Sequence, residues 1–247
     1  MKGSEEVVRL IVSDLDGTLM PYGQAGLSDG IRARIQKALD KNIAFAVSSG
    51  RTYGELAALL PEFADKIWFI CCDGAYYVHG GKTYGERRVE PSDLGLFFGV
   101  GASAVFHGAF ENYSVGDDLH REAARFAPKP VARATEIREK IYKVTTYGRE
   151  ILSPACSGLR VHWDGSCEGI AQYVNRFANK GTALSDLQMR LMLTKFDTAC
   201  IGDGGNDVAM MKNAKYSFAV GNCPSELAEA AAYRVQNAEQ AFDMILN

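Results

Sequence analysis

The sequence predicts an α/β protein: a parallel-sheet core, interrupted by an inserted α+β unit and completed after it. Three observations lead there. Short apolar, β-branched segments alternate with amphipathic stretches at both ends of the chain, the rhythm of right-handed βαβ units. That alternation breaks down in a central stretch of roughly 95 residues, the size of a small domain. Polar segments, most of them bearing glycine, follow several predicted strands, at the edge where an open α/β sheet has its ligand crevice.

Residues 7–12 are apolar apart from Arg9 and read as a buried strand. Ser28 caps a helix to about residue 41, with Ile31, Ile35, Ala38 and Leu39 at helical spacing. Residues 43–47 form a second strand ending in Ser48-Ser49-Gly50-Arg51, and the following helix stops before Pro61. A third strand, 67–72, ends in Asp73-Gly74-Ala75. In the insert, placed at 80–175, residues 91–100 and 117–127 read as helices. Residues 104–106, 110–115, 140–146, 159–163 and 171–177 read as strands or extended chain. From Lys180 the α/β rhythm resumes: helix 181–193, strand 198–201, helix 207–213, strand 217–220, helix 225–232 and a closing helix to 246. The core thus comprises 1–79 and 176–247.

Across the 247 residues, 27 Lys and Arg stand against 30 Asp and Glu, a formal charge of −3. No long basic run occurs, and Arg87-Arg88 is too short to form one, so no nucleic-acid partner is expected. The first residues are polar and acidic, unlike a secretory signal, and no apolar run approaches membrane-spanning length. A cytoplasmic protein without a membrane partner is the expectation. The six cysteines are scattered, with Cys71-Cys72 adjacent and no C-x-x-C. Buried thiols in a reducing compartment fit better than a disulfide or zinc framework.

The first strand runs into Asp14-Leu15-Asp16-Gly17-Thr18. Two carboxylates there are costly unless they share a cation or a proton. A divalent metal with a phosphate explains the pair, whereas an ordinary Asp-Gly turn accounts only for Asp16-Gly17. Ser48-Ser49-Gly50-Arg51, Lys180-Gly181 and Gly202-Asp203-Gly204-Gly205-Asn206-Asp207 complete a set of four polar segments along one sheet edge.

In combination these motifs resemble the haloacid dehalogenase superfamily of aspartate-nucleophile phosphatases, in its Cof-type branch with a large α+β cap. The resemblance covers the whole core, and the insert falls where that branch places its cap. It implies a Rossmann-like core and hydrolysis of a small phosphorylated metabolite, such as a sugar phosphate. By it, Asp14 is the nucleophile that becomes an aspartyl-phosphate. Asp16 is the general acid and base. Mg²⁺ is the implied cofactor, held by Asp14, the backbone carbonyl of Asp16 and Asp203, with Asp207 holding a metal-bound water or Lys180. Ser49 and the N–H groups of Leu15 and Gly50 would bind phosphoryl oxygens. Lys180 would neutralise charge and Asn206 would orient the phosphate. Such preorganised donors are worth about 3–4 kcal/mol each in a closed site. Asp at position 16 argues for hydrolysis or for phosphomutase chemistry. An idle binding module of the same fold is the rival from another class, and the complete set of motif residues speaks against it.

Two positions depart from the branch pattern: Ser49 stands where threonine is frequent, and Asp73 where asparagine is frequent. Asp73 could meet metal or a substrate hydroxyl, or only make a turn. Arg51 would support its loop or meet substrate. His79, His107, His120 and His162 show no metal spacing. His107, His162, Arg88 and Arg160 are candidates to face the cleft from the cap, while Trp68 and Trp163 are expected to pack.

Overall fold

The computed structural model describes residues 7–98, 103–116, 121–124, 126–147, 158–163 and 169–247, with backbone alone at 121, 122, 162 and 163. Along the first part of the chain lie β1 (Leu10–Asp14), α1 (Asp29–Asp40), β2 (Ala44–Ser48), α2 (Tyr53–Leu59), β3 (Trp68–Cys71), β4 (Tyr76–His79) and β5 (Lys82–Glu86). The middle holds α3 (Pro91–Leu94), β6 (Ser103–His107), β7 (Asn112–Val115), α4 (Arg121–Ala124), β8 (Lys129–Pro130), β9 (Lys143–Tyr147), β10 (Leu159–Trp163) and β11 (Ile170–Asn175). The last part has α5 (Lys180–Leu191), β12 (Thr198–Gly202), α6 (Val208–Met211), β13 (Tyr216–Val220), α7 (Ser225–Ala230), β14 (Tyr233–Val235) and α8 (Ala238–Leu246).

Among the described residues the strands form two sheets. The first has the order β14-β13-β12-β1-β2-β3-β4-β5 and is parallel from β14 to β3. Its central strands β1, β2, β3, β12 and β13 are buried on both faces, because side chains alternate between two helical layers. Ile11, Phe45 and Phe69 pack with Ile31, Ile35, Leu56 and Phe242 on one side. Leu10, Val12, Ala46 and Cys200 pack with Leu184, Leu187, Met210 and Leu227 on the other. The helices begin where the sequence supplies caps. The Ser28 hydroxyl accepts from the Ile31 N–H, and Thr52 and Glu55 form a reciprocal capping box. The chain leaves β1 toward β2 on one side and returns at β12 on the other, so the switch point lies at the carboxyl ends of β1 and β12.

The second sheet, β10-β11-β9-β6-β7-β8, is antiparallel except between β7 and β8. One face carries Phe106, Val144, Ala171 and Tyr173 onto Leu94 and Phe97. On the opposite face the pairings set His107, Lys143, Val174 and Arg160 in one cross-strand row, with Thr145 and Gln172 in the next. This polar face meets the first sheet's crevice: the Lys143 ammonium donates to the Gly50 carbonyl, and the Gly54 N–H donates to the Ala109 carbonyl at 3.0 Å.

Several expectations change. Residues 82–86, placed in the insert from sequence, pair as β5 onto β4 at the edge of the first sheet. Their hairpin turns at Gly80 and Gly81, with φ of 54° and 70°, which a Gly-Gly pair accommodates. The helix expected over 91–100 is shorter: Pro91–Leu94 gives way to a 3₁₀ turn at Gly95–Phe97, glycine being a poor helix former. Phe110 lies in a hairpin tip rather than a strand, its ring on Tyr53 with centroids 5.7 Å apart. The helix expected from 207 opens as a 3₁₀ turn, Gly205–Asp207. The expectations for residues 99–100, 117–120 and 125, for His120, and for the side chains of His162 and Trp163 lie outside the described residues.

Gly74 draws the turn after β3 against the start of α5. Its φ is +90°, and a Cβ there would lie 2.1 Å from the Asn179 carbonyl oxygen. Gly74→Ala is therefore expected to lose at least about 2 kcal/mol of stability in a urea titration, since a left-handed backbone and a backbone clash add. An unchanged midpoint would contradict this reading of the turn.

Candidate active site

Asp14 ends β1 and is 7% exposed. The chain then folds back at once: the Gly17 N–H donates to Met20, and the Met20 N–H to Leu15, both at 2.8 Å. Gly17 has φ +90°, and any Cβ on it would sit 2.3 Å from Asp203 Oδ2. Glycine there lets the loop after β12 close onto the loop after β1. Thr18 Oγ1 holds Asp203 Oδ1 at 2.5 Å, and the Tyr22 hydroxyl lies 3.4 Å from Oδ2.

Lys180 enters from the first turn of α5, which Asn179 caps through the Thr182 N–H. Its ammonium, 1% exposed, lies 2.5 Å from Asp14 Oδ1 and 2.7 Å from Asp207 Oδ1. The other oxygen of Asp207 accepts the N–H groups of Asp203 and Gly204 at 3.1 and 3.0 Å. Asp207 thus fixes both the lysine and the loop that presents Asp203.

Ser49 follows β2, and its hydroxyl oxygen accepts the Arg51 N–H at 3.2 Å, which leaves its proton to donate outward. Arg51 makes a two-pronged contact with Asp16, Nε to Oδ2 at 2.9 Å and Nη2 to Oδ1 at 2.7 Å. Asn206 donates to Asp73 Oδ1 at 3.0 Å, and the Asp73 carboxylate lies over Gly50. The structure therefore brings the motif residues Asp14, Asp16, Ser49, Gly50, Lys180, Asp203, Asn206 and Asp207 to one edge, beside the Leu15 backbone. Sequence reasoning did not assign the Thr18 contact with Asp203, the fork of Arg51 on Asp16, or the reach of Lys143. Thr18 and Arg51 sit inside motifs already singled out, but no local pattern marks Lys143.

The electrostatics ask for a cation. Carboxylate oxygens of Asp14, Asp203 and Asp207 lie within 4.8 Å of one another. Burial pushes the Asp14 carboxyl well above its ordinary range; Lys180 opposes this, while the charges of Asp207 and Asp203 add to it. Asp203 is raised too, first by burial, and it lies within hydrogen-bonding reach of Asp14. Burial disfavours the charge on Lys180, but Asp14 and Asp207 outweigh that and hold it protonated. Two carboxylates this close, Asp14 buried and Asp203 half-buried, share either a proton or a cation. An all-oxygen donor set from Asp14 and Asp203 suits a hard divalent ion, whereas Asp207 is already committed to Lys180 and the loop.

The family model of the haloacid dehalogenase-like hydrolases matches residues 11–103 and 109–243. The chain belongs to that family. The 5-amino-6-(5-phospho-D-ribitylamino)uracil phosphatase YbjI of Escherichia coli (strain K12) is 25% identical over 261 residues, covering 96% of this chain and 95% of its own. The phosphoglycolate phosphatase of Metallosphaera sedula is 23% identical over 227 residues, 92% of this chain and 91% of its own. A haloacid dehalogenase-like hydrolase from Bacteroides thetaiotaomicron shares the fold, with a TM-score of 0.82 at 22% identity over 96% of this chain and 99% of that one.

Proposed function

We propose that this haloacid dehalogenase-like phosphatase hydrolyses a small phosphomonoester, a sugar phosphate or related metabolite, through a phosphoryl group carried on Asp14. The observation that carries this is the Asp14 carboxylate at the end of β1, buried against Lys180 and beside Asp203. That both relatives named above are phosphatases of small phosphorylated compounds supports the same reading.

An Asp14 oxygen attacks phosphorus in line as the ester oxygen leaves, and water then displaces the carboxylate from the opposite face. Asp14 and Asp203 would hold Mg²⁺ together with the Asp16 carbonyl. An ion held there would supply positive charge to offset that of the phosphoryl oxygens and of an ionised Asp14. Lys180 neutralises Asp14 and the transferring group. The Ser49 hydroxyl and the N–H groups of Gly50 and Leu15 donate to phosphoryl oxygens, and Asn206 orients the group from the other side. Asp16 protonates the leaving oxygen and later takes a proton from water. Arg51 positions Asp16 at the rim through its two-pronged contact. The insert from residue 87 to 175 acts as a cap that excludes water from the reacting centre.

A panel of phosphomonoesters assayed for released phosphate tests the reading: turnover with Mg²⁺, silence in EDTA and recovery on readdition are expected. Turnover unaffected by EDTA would refute the metal assignment. A second readout needs no substrate. A carboxyl whose folded pKa is raised stabilises the fold while protonated, and that stability is lost as pH rises through the folded value. Without metal, the melting temperature is therefore expected to fall as pH increases above about 5. Added Mg²⁺ should raise it, more at higher pH, and Asp203→Asn should abolish that response. A melting curve indifferent to Mg²⁺ would contradict the site.

A further inference from the structure

We infer that the leaving group is recognised between Asp73 and Asn206 below and Arg160 and Gln172 above, a pairing that selects an uncharged, hydroxyl-bearing group over acidic or amine-bearing ones. The inference rests on the phosphatase reading and adds to it which chemistry the cap admits.

These four side chains, with Val174, line one narrow cleft between the two sheets. Its floor adjoins the phosphate site, because Asp73 lies over Gly50 and accepts from Asn206. Its roof is the polar face of the second sheet, where Val174 separates the cations Lys143 and Arg160. Arg160 Nη2 donates to the Ala178 carbonyl at 2.6 Å. Its Nε is buried with no hydrogen-bond partner among the described residues, an N–H that costs free energy until something accepts from it. The backbone presses Asp73 into place: Cys72, Asp73 and Gly74 all have positive φ, at 47°, 56° and 90°. An unfavourable conformation kept at a site's floor points to use of the side chain it presents.

The selection follows from what each group can do. A carboxylate only accepts, a guanidinium only donates, and the two amides do both. A leaving group that meets all four must both donate and accept, which hydroxyls do. A carboxylate that meets Arg160 would also face Asp73 with like charge, and an ammonium that meets Asp73 would face Arg160, whereas a hydroxyl satisfies both without a charge clash. The cleft between the layers is about 10 Å³, room for one water, so a larger leaving group requires the two layers to stand further apart.

The test compares three small esters that differ in end group: glycerol 3-phosphate, phosphoglycolate and O-phosphoethanolamine. Wild-type kcat/KM is expected to be highest for glycerol 3-phosphate. Asp73→Asn, whose replacement tolerates a left-handed backbone, should raise the phosphoglycolate-to-glycerol 3-phosphate ratio by about tenfold or more. Arg160→Gln should raise the phosphoethanolamine-to-glycerol 3-phosphate ratio similarly. Turnover of the esters with both ratios unmoved in the variants, or with phosphoglycolate preferred by the wild type, would overturn the inference alone. No phosphate release from any ester, p-nitrophenyl phosphate included, would overturn the phosphatase reading together with it.

Discussion

Asp14→Asn is expected to lower kcat by about four orders of magnitude or more, the scale seen when a covalent nucleophile is removed, while leaving the fold intact. An amide cannot attack phosphorus, and no other carboxylate shares its place at the end of β1. Asp203 is held by Thr18, and Asp207 by Lys180 and two backbone N–H groups. The same substitution carries a stability prediction of opposite sign. Burial raises the Asp14 carboxyl, so its ionisation opposes folding in metal-free protein at neutral pH. The variant without Mg²⁺ should therefore melt at or above the wild-type temperature, and its melting should depend less on pH. Retained turnover, or a lower melting temperature in EDTA, would contradict the assignment.

Lys180→Met should be the most damaging single change to stability. It leaves Asp14 and Asp207 facing each other without the cation that both contact at 2.5 and 2.7 Å. Removing the cation leaves buried carboxylate charge uncompensated, which costs about 3–5 kcal/mol and is measurable by urea denaturation in EDTA. Asp14→Asn differs because Lys180 keeps Asp207 as its partner. The held-up pKa of Lys180 means that its contribution is complete below its unfolded value of about 10.4 and is lost only as pH rises through the folded one. At neutral pH the wild type has all of it. In the variant, protonation of Asp14 relieves the strain in acid, so the deficit should grow as pH rises from about 4 to 8. A deficit independent of pH would show that methionine merely packs poorly.

The core was legible because its signals are local. Apolar strands followed by polar turns, the Ser28 cap and the break at Pro61 each mark an element within a few residues. The family resemblance was read from the same motifs. The second sheet was legible in kind but not in detail: its strands carry polar residues on the face toward the crevice, Lys143 and Thr145 among them, so no apolar run marks their limits. The β4–β5 hairpin could have been read from Gly80-Gly81 between strand-like segments. What the sequence cannot express is convergence at a distance. The fork of Arg51 on Asp16 depends on how two loops meet, and Lys143 reaches Gly50 across 93 positions. Asp73 stood out as a departure from the branch pattern, yet its place beneath Arg160 follows only from the packing of the two sheets.

On this mechanism the phosphoryl group passes through the carboxylate of Asp14. Borohydride reduces an acyl phosphate to the alcohol, so quenching enzyme during turnover with borohydride and mapping the peptide that spans β1 tests it directly. Asp16→Asn protein, in which hydrolysis of the phosphoenzyme should be slow, offers the highest occupancy. Homoserine at position 14, formed only when substrate and Mg²⁺ are both present, is the expected result. Ongoing turnover with residue 14 unmodified, or homoserine at another aspartate, would rule out Asp14 as the phosphoryl carrier.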